Sequence, residues 1–382
     1  MPNSQKAVGA MDLLEGRVGN LTPQQESKLA EMWAVMLRKC GTHDESGPAA
    51  VDVPPTSADA EMSPDETRSA LWSMVQVEHP DALLLRFLRA QVVHVEQILR
   101  EGEALAHEQE TSTAADDAVQ KSGKEFMFQM RAGKCVVRGV DKDGRPVCVV
   151  RVRQHFSRDQ SEEVLKRWIV YIIETARLAY TPPCDTAAVI FDLTGFGMGN
   201  LDYVPVKFII QCFEANYPEM LGKVIVHKAP WFFPGIWKLV STWIADPVIA
   251  SKICFSTSAK DLGQYMDPDR LPKELGGKDP WEYTYLEPEA GENAKMGETA
   301  ERDQLLVARE ALAKEFEEAT RQWLKSPKDE AIKSRRKELA VKINKENYWL
   351  LDPYIRARTL WDRLGIRAPD GRIDYFANGK DH

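Results

Sequence analysis

The sequence predicts an α/β fold in which a mainly parallel sheet is flanked by helices. Between residues 134 and 256, short apolar runs alternate with segments of helical periodicity, as in strands joined by crossover helices. Residues 218–256 show this best, because the apolar runs KVIVHKA and KICFS lie on either side of the helical segment PGIWKLVSTWIA. Two like-directed buried strands joined by a helix form a βαβ unit. Helical patterns on both sides predict an N-terminal helical lobe and a C-terminal helical extension.

The chain before the sheet is predicted to be helical. Residues 21–39 carry an apolar stripe at helical spacing, with Thr22 placed to cap the helix and Pro23 at its first position. Residues 41–63 are rich in Gly, Pro, Ser and Asp and have no periodicity, which predicts a flexible linker. Helical periodicity resumes at residue 64, and Asp81 is placed to cap the segment ALLLRFLRA.

The sheet region can be assigned element by element. KCVVRGV and PVCVVRV flank DKDGR, whose Asp143-Gly144 pair is a strong hairpin signal. Residues 161–180 predict a buried helix, residues 187–193 (AAVIFDL) a buried strand, and residues 201–218 a further helix.

The segment between the last two predicted strands is unusually aromatic. One helix that covers a sheet needs fewer large rings than this segment contains. The rings either belong to the core or form a movable apolar flap over a cavity, one that can also touch a bilayer. The sequence leaves both readings open for Trp231, Phe232, Phe233, Trp237 and Trp243.

Composition excludes several classes of protein. The formal net charge is −8, which argues against nucleic-acid binding. The six cysteines are scattered and contain no CxxC pair, as is typical of reduced thiols in a reducing compartment. The first twenty residues lack the apolar core of a secretory signal, and no apolar run approaches the roughly 18 residues of a membrane helix. We therefore expect a cytoplasmic protein that contacts membranes only transiently.

No catalytic motif is recognisable. GFGMGN follows a predicted strand but has Asn200 where a dinucleotide fingerprint has its third glycine. There is no GxSxG and no cluster with metal-ligand spacing. The sequence thus predicts a binder and not an enzyme, with no cofactor beyond a bound ligand. His155 and His227, on or beside predicted strands, leave haem binding open as an alternative, and a scaffold whose cavity is filled by its own side chains is another.

Seven segments can be compared with a known family. They are, in order, DALLLRFLRA (Asp81–Ala90), DKDGRPV (Asp141–Val147), IFDLTGFG (Ile190–Gly197), YPEMLGK (Tyr217–Lys223), KAPWFF, DPVIASKI (Asp246–Ile253) and LPKELGG (Leu271–Gly277). Together they resemble the CRAL-TRIO lipid-transfer domain of fungal phosphatidylinositol transfer proteins of the yeast secretory-pathway type. The resemblance covers about residues 64 to 285, and the aromatic tail, residues 347–375, more weakly resembles the chlorpromazine-resistance-suppressor subgroup.

The resemblance implies a monomeric lipid carrier that holds phosphatidylinositol or another membrane lipid in a gated cavity. It implies four consecutive segments: an N-terminal helix and linker, an N-terminal helical lobe, a lipid-binding domain and a helical extension. Their predicted bounds are residues 1–63, 64–130, 131–287 and 288–382. In the family, residues at the positions of Glu219 and Lys252 contact the inositol-phosphate headgroup, and an ammonium and a carboxylate suit phosphate and sugar hydroxyls.

Apolar residues on consistent faces supply the candidate cavity and gate. They are Tyr171, Phe191, Phe208, Cys212, Phe233, Trp237, Val240 and Ile244.

The sequence departs from the family at the headgroup positions. The hydroxyl-bearing residues of the family's choline site correspond to Ala187, Val189 and Cys148, and the basic pair after RFLRA is Gln91 and Val92 here. A phosphocholine group would lack donors in such a site. We therefore expect phosphatidylcholine to bind poorly, and a second ligand with little or no headgroup, such as a sterol, an isoprenoid or squalene, to be favoured.

Overall fold

A computed structural model describes residues 18–42, 63–76, 78–87, 96–112, 117–180, 184–217 and 219–377. The chain divides into two compact units. One combines Met1–Leu88 with Leu306–Tyr348, and the other combines Arg89–Leu305 with Trp349–His382. This differs from the four consecutive segments predicted from sequence, because packing joins segments that lie far apart along the chain. The four-segment division stays a prediction.

The first unit is helical. Its helices are α1 (Pro23–Lys39), α2 (Pro64–Met74), α3 (Pro80–Phe87), the part of α11 (Thr299–Lys325) from Leu306 onward, and α12 (Glu330–Val341). Thr22 caps α1, as predicted, with Gln25 completing a capping box. The prediction that Asp81 caps a helix was wrong. Asp81 lies inside the first turn of α3, where its buried carboxylate accepts hydrogen bonds from Trp33 Nε1 (2.7 Å) and Arg336 (2.6 Å).

The second unit contains the sheet and the remaining helices. Its strands are β1 (Cys135–Val140), β2 (Pro146–Arg151), β3 (Ala187–Asp192), β4 (Leu221–His227) and β5 (Ile253–Ser256). Its helices before the C-terminal extension are α4 (Glu96–Thr111), α5 (Asp117–Ala132), α6 (Glu162–Arg177), α7 (Tyr203–Gln211), α8 (Phe233–Val240), α9 (Pro247–Ser251) and α10 (Ala259–Leu262). In the extension follow α13 (Tyr348–Ile355) and α14 (Leu360–Arg363).

The sheet has the strand order β1-β2-β3-β4-β5. β1 and β2 form the predicted antiparallel hairpin, and the other three pairings are parallel. This confirms the predicted α/β class and the mainly parallel sheet.

The two faces of the sheet are covered differently. Because successive side chains point to opposite faces of a strand, Val149, Ile190 and Ile225 share one face. This face is packed against the segment that follows β5, through Leu262, Met266, Leu271 and Leu275. The opposite face, which carries Val150, Phe191 and Val226, borders a cavity.

Helix α8 is shorter than predicted. The apolar stripe predicted a helix over residues 234–245, but α8 ends at Val240 and a 3₁₀ turn, Ser241–Trp243, follows. The hydroxyls of Ser241 and Thr242 donate to the carbonyls of Lys238 and Leu239. Such local bonds compete with helical geometry, which explains why the helix tightens here. Within the part of the chain that the structure describes, no helix has the length and apolarity needed to cross a membrane.

Candidate functional site

The cavity has a volume of about 230 Å³ and lies on the face of the sheet that carries Val150. Strands β2, β3 and β4 form its floor, and helices α6, α7 and α8 contribute its other walls. Its apolar lining consists of Val150, Val152, Leu165, Trp168, Ile169, Val189, Phe191, Leu193, Phe196, Leu201, Tyr203, Pro205, Val206, Ile209, Ile210, Phe213, Leu221, Val224, Val226, Phe233, Ile236, Trp237, Val240, Ile244, Ile249 and Ile253.

Five of the eight residues predicted from sequence to form the cavity and gate lie in this lining. Phe191 comes from the floor, and the other four come from α8 and the segment after it. Those four are Phe233, Trp237, Val240 and Ile244. Their spacing in α8 brings one face of that short helix over the cavity.

Three other predicted lining residues, Tyr171, Phe208 and Cys212, do not border the cavity. Leu165, Trp168 and Ile169 form the cavity face of α6, and Tyr171 points away from it, with its hydroxyl donating to Glu103 (2.9 Å). A helix turns about 100° per residue, so the side chain two positions after Ile169 points to the side of α6 away from the cavity.

Phe208 and Cys212 are excluded from the cavity for a similar reason. The neighbouring positions Ile209 and Phe213 are the ones that border it. Phe208 packs near the Lys166 ammonium of α6, 5.5 Å from the ring centre, and Cys212 is buried in the core shared with α6. Apolar character alone did not separate core positions from cavity positions.

The altered choline-site positions lie at one end of the cavity floor. Val189 lines the cavity, and its register partner Cys148 and the residue two positions earlier, Ala187, are buried in the protein interior. Burial raises the pKa of the Cys148 thiol to about 12. This end of the floor therefore presents no ionised or hydroxyl group at these three positions.

The aromatic segment around α8 does not form a closed core. Trp231 is 91 % exposed, whereas Phe232, Phe233, Trp237 and Trp243 are half-buried. Trp237 packs edge-on against Phe255, with ring centres 5.2 Å apart, and Trp243 packs edge-on against Tyr203 at 5.4 Å. The prediction that all these rings belong to the core is thus wrong for Trp231. Phe233 and Trp237 line the cavity, and we call the segment formed by residues 233–244 the cover.

A carboxylate holds the segment that follows α8. Glu214 Oε1 accepts hydrogen bonds from the backbone N–H groups of Ala245 (2.8 Å) and Asp246 (3.1 Å). These bonds tie the end of the cover to the chain that continues from α7. On the other side of the cover, Lys228 has φ +52°, a left-handed conformation that is costly for a residue other than glycine.

Glu219 and Lys252, the predicted headgroup residues, precede the neighbouring parallel strands β4 and β5. Both are half-buried, and the backbone N–H of Val224 donates to the Lys252 carbonyl (2.9 Å). Glu219 has φ +60°. Neither borders the cavity, but Leu221 and Ile253, close to them in sequence, do. Their role in headgroup binding stays a prediction, and positions 91 and 92 lie outside the described residues.

Polar side chains gather at another part of the lining, which sequence reasoning did not identify as a unit. They are Lys134, Arg151, His155, Asn200 and Asp202. His155 Nε2 lies 3.0 Å from Asp202 Oδ2, and burial lowers the pKa of His155, so the imidazole is neutral at pH 7. The only sequence signal was a lysine directly before the apolar strand CVVRGV.

The two histidines considered for haem binding are separated by the sheet. His155 lies at the cavity wall, and His227 is fully buried with Nδ1 3.0 Å from Ser256 Oγ. His227 adjoins Val226 in β4, so it points to the face opposite the cavity. Among the described residues, no group of three or more His, Cys, Asp or Glu side chains could hold a metal ion.

Comparison with known proteins identifies the family. The chain matches the family models described as CRAL/TRIO domain, over residues 130–277, and CRAL/TRIO, N-terminal domain, over residues 22–99. It is 43 % identical to CRAL-TRIO domain-containing protein C3H8.02 of Schizosaccharomyces pombe, over 81 % of this chain and 71 % of that protein. It is 41 % identical to phosphatidylinositol transfer protein CSR1 of Eremothecium gossypii, over 77 % of this chain and 70 % of that protein.

The crystal structure of Sfh5 is a distant match, with 17 % identity and a TM-score of 0.34 over 47 % of this chain and 75 % of that chain. The two fungal relatives and the two family models agree with the motifs found in the sequence. The chain belongs to the CRAL/TRIO family of lipid-binding and lipid-transfer proteins.

Proposed function

We propose that the protein holds one lipid in its cavity and exchanges it at membranes, with phosphatidylinositol as a ligand and a second, apolar lipid as another. The observation that carries this proposal is an apolar cavity covered by a short aromatic helix, with the exposed Trp231 directly before it. Trp and Phe are favoured at the interface of a bilayer. The cover could therefore open where the protein touches a membrane.

The cavity volume supports a cover that moves. Pockets that enclose drug-sized ligands measure roughly 300–1,000 Å³. The cavity measures about 230 Å³, so a lipid with two acyl chains requires the walls to move apart. Few contacts hold α8 in the cover, because Val240 is its one buried residue and no side-chain hydrogen bond caps its start.

Exchange at a membrane also follows from the energetics of the acyl chains. Each buried CH₂ contributes about 0.8 kcal/mol, so two long chains would exceed the binding energy of ordinary complexes if they were released into water. Release into a bilayer avoids that loss. We therefore propose a cytoplasmic monomer that associates with membranes only during exchange.

The phosphatidylinositol proposal rests on Glu219, Lys252 and one relative. Glu219 and Lys252 lie just before β4 and β5, and the first residues of these strands, Leu221 and Ile253, border the cavity. The chain is also 41 % identical to phosphatidylinositol transfer protein CSR1 over the aligned residues. An ammonium would bind the lipid phosphate, and a carboxylate would accept hydrogen bonds from inositol hydroxyls.

An apolar ligand such as squalene or a sterol is the second candidate. It is favoured by the apolar side chain of Val189, which lines the cavity, and by the lack of a hydroxyl group at Ala187 and Cys148. Such a ligand also needs less cavity volume than a phospholipid with two chains.

Mass spectrometry of the native protein, followed by lipid extraction, tests the general function. A co-purifying phospholipid or neutral lipid is expected, and ligand-free protein that also fails to take up lipid from vesicles would refute it. An absorbance scan of the same sample tests the haem alternative through its Soret band.

The headgroup proposal is tested by Lys252→Ala in a vesicle transfer assay. We expect phosphatidylinositol transfer to be lost, because the lipid phosphate would be left without its cation, whereas uptake of an apolar lipid should persist. Lys260→Ala, which removes an exposed lysine from α10, is the matched control. Normal phosphatidylinositol transfer by Lys252→Ala would remove Lys252 from the site.

A further inference from the structure

A buried lysine borders the apolar cavity. Lys134, directly before β1, is one of the residues that line the cavity, and it is 2 % exposed. Its Nζ donates a hydrogen bond to Gln160 Oε1 at 3.1 Å and lies 5.5 Å from the centre of the Phe128 ring, and both of these partners are uncharged. No carboxylate of the described residues lies within ion-pair distance of this ammonium, although a buried cation ordinarily requires such a partner.

The charged groups around Lys134 leave it without a direct counter-ion. Arg151 is held by Glu274, and the Asp202 carboxylate is hydrogen-bonded to the neutral imidazole of His155. Asp159 attracts the ammonium from beyond ion-pair distance. Burial lowers the pKa of Lys134 to about 8, so the side chain is mostly protonated at pH 7.

This lysine lies towards the opposite end of the strands from the predicted headgroup residues. The Lys134 carbonyl accepts a hydrogen bond from Arg151 N, the last residue of β2 (2.8 Å). Glu219 and Lys252, by contrast, precede the first residues of β4 and β5, which run parallel to β2 and β3. Lys134 therefore lies towards one end of the parallel strands, and Glu219 and Lys252 lie towards the other end.

We propose that Lys134 binds the carboxylate of a long-chain fatty acid whose chain occupies the cavity. The inference deepens the proposed function and rests on it, because the same cavity must accept a lipid chain. A carboxylate would give the ammonium its missing counter-ion, and the apolar walls would cover the chain.

The charge of the site favours a carboxylate over a phosphate monoester. A phosphate monoester carries about −1.5 to −2 charges at pH 7 and needs several donors. Lys134 offers a single positive charge, and the Asn200 amide is already bonded to backbone groups of Gly197, Arg153 and His155. One ammonium neutralises one carboxylate. Asp202, already paired with His155, adds a negative charge nearby that further disfavours a dianion.

The first test compares cis-parinaric acid with its methyl ester by fluorescence titration of the wild-type protein. The two probes share one chain and differ in the charge of the head. We expect the acid to bind at least about tenfold more tightly at pH 7, because a charge-assisted hydrogen bond is absent for the ester. Equal affinities for the two probes would overturn the proposal.

The pH dependence gives a second readout that needs no variant. A bound carboxylate raises the pKa of Lys134, so acid binding takes up a proton once the free lysine begins to lose its own near pH 8. Affinity for the acid should be constant between about pH 6 and pH 7.5, where the probe's carboxylate stays ionised, and fall by up to tenfold per pH unit above pH 8. Affinity for the ester should not change. A flat profile for the acid up to pH 10 would overturn the proposal.

Lys134→Met keeps the length of the side chain and removes its charge. We expect this variant to lose tenfold or more in affinity for the acid at pH 7 and to bind the ester at least as well as the wild type. Lys124→Met, an exposed lysine on α5, is the matched control. Unchanged acid binding by Lys134→Met would overturn the proposal. If neither probe binds the wild type, the lipid cavity itself fails, which is distinguishable from loss of acid selectivity alone.

Discussion

Two helices that wall the same cavity, α6 and α8, are held in very different ways. Most of α6 is buried, including its charged residues Glu174 and Arg177, and Ser161 caps its first turn. In α8, Val240 is the buried residue and no side-chain hydrogen bond caps the start. Yet α8 is the more apolar helix, since Lys238 is its only charged residue. Burial is therefore not set by the apolarity of a helix but by how many elements pack around it.

The back of α6 is fixed by a buried charge network. Glu103 of α4 accepts hydrogen bonds from Tyr171 of α6, from Tyr285, and from Arg363 of α14, and it also accepts from the backbone N–H of Leu360 (3.0 Å). The C-terminal extension thus packs on the side of α6 that faces away from the cavity. Leu360, Trp361, Leu364 and Ile366 of the extension share the core that contains α6.

A glycine makes this contact possible. Gly102 interrupts the regular helix of α4 with φ +26°, and a Cβ at this position would lie 2.7 Å from the ring of Tyr171. Only glycine combines this backbone conformation with such a close approach. The kink brings Glu103, the next residue, to the Tyr171 hydroxyl. Helix α6 is therefore fixed by contacts on its side away from the cavity, whereas α8 is held mainly through the segment that follows it.

The largest expected effect on stability comes from removing a charge from the buried network that fixes α6. Arg363→Met removes the cation from Glu103, whose carboxylate is 1 % exposed, and from Glu292 (3.0 Å). Removing one partner of a buried pair costs about 3–5 kcal/mol, because the other charge stays buried alone. We expect this loss in the free energy of unfolding, measured by urea titration.

An exposed ion pair on the same unit provides the control for that variant. Arg131 pairs with Glu110 and Glu287, each at 2.7 Å, and its side chain is 35 % exposed. Arg131→Met should cost less than about 1 kcal/mol because surface pairs are screened by solvent. Equal losses for the two variants would mean that the Glu103 network does not lock the wall.

Weakening the hydrogen bonds that hold the cover should have a smaller effect. We expect it to change the rate of lipid exchange more than the free energy of unfolding of the whole protein. Glu214→Gln weakens two hydrogen bonds to the backbone of Ala245 and Asp246, and bonds to a charged group contribute about 1.5–3 kcal/mol each. Since the amide oxygen of Gln still accepts, we expect about 1–2 kcal/mol less stability of the closed cover and a roughly tenfold faster exchange of a fluorescent lipid with vesicles.

The control for the loosened cover is Glu282→Gln, which changes an exposed carboxylate outside the cover. It should leave the exchange rate unchanged. An exchange rate in Glu214→Gln equal to that of the wild type would show that these two bonds do not limit opening.

The smallest effect on stability is expected from the exposed ring beside the cover. Trp231 is 91 % exposed, so Trp231→Ala should change the free energy of unfolding by less than about 0.5 kcal/mol. If the ring enters a bilayer, its partial burial contributes about 1–2 kcal/mol, and vesicle binding should weaken roughly fivefold to thirtyfold. Val307→Ala, at a 71 % exposed position in α11, is the control, and equal vesicle binding by both variants would contradict membrane contact by Trp231.

Periodic and turn signals in the sequence predicted the elements well. The strands β1 to β5, the hairpin at Asp143-Gly144, the cap at Thr22 and helices α6 and α7 follow from residues that lie close together in the chain. The family also followed from local motifs. The end of α8 was misjudged because hydroxyl bonds within one turn overrode an apolar stripe that continued to Ile244.

The cavity could be predicted only in part. Phe191, Trp237 and Val240 line it as their patterns indicated, but Tyr171 and Cys212 were indistinguishable from them by apolarity. Which face of a buried helix meets a void and which meets another helix depends on neighbours that are distant in sequence. Asp81 was misread for the same reason, since its partners Trp33 and Arg336 come from other helices.

The sequence by itself determined the α/β class, the order of the elements and the family, because periodicity, turn residues and motifs act over a few residues. Only the tertiary structure decided that Arg363 of the extension meets Glu103 behind α6, that α8 covers a cavity without being buried, and that Lys134 borders that cavity. Burial, ion pairing and a void each depend on the sum of contacts from several elements. No single segment contains that information.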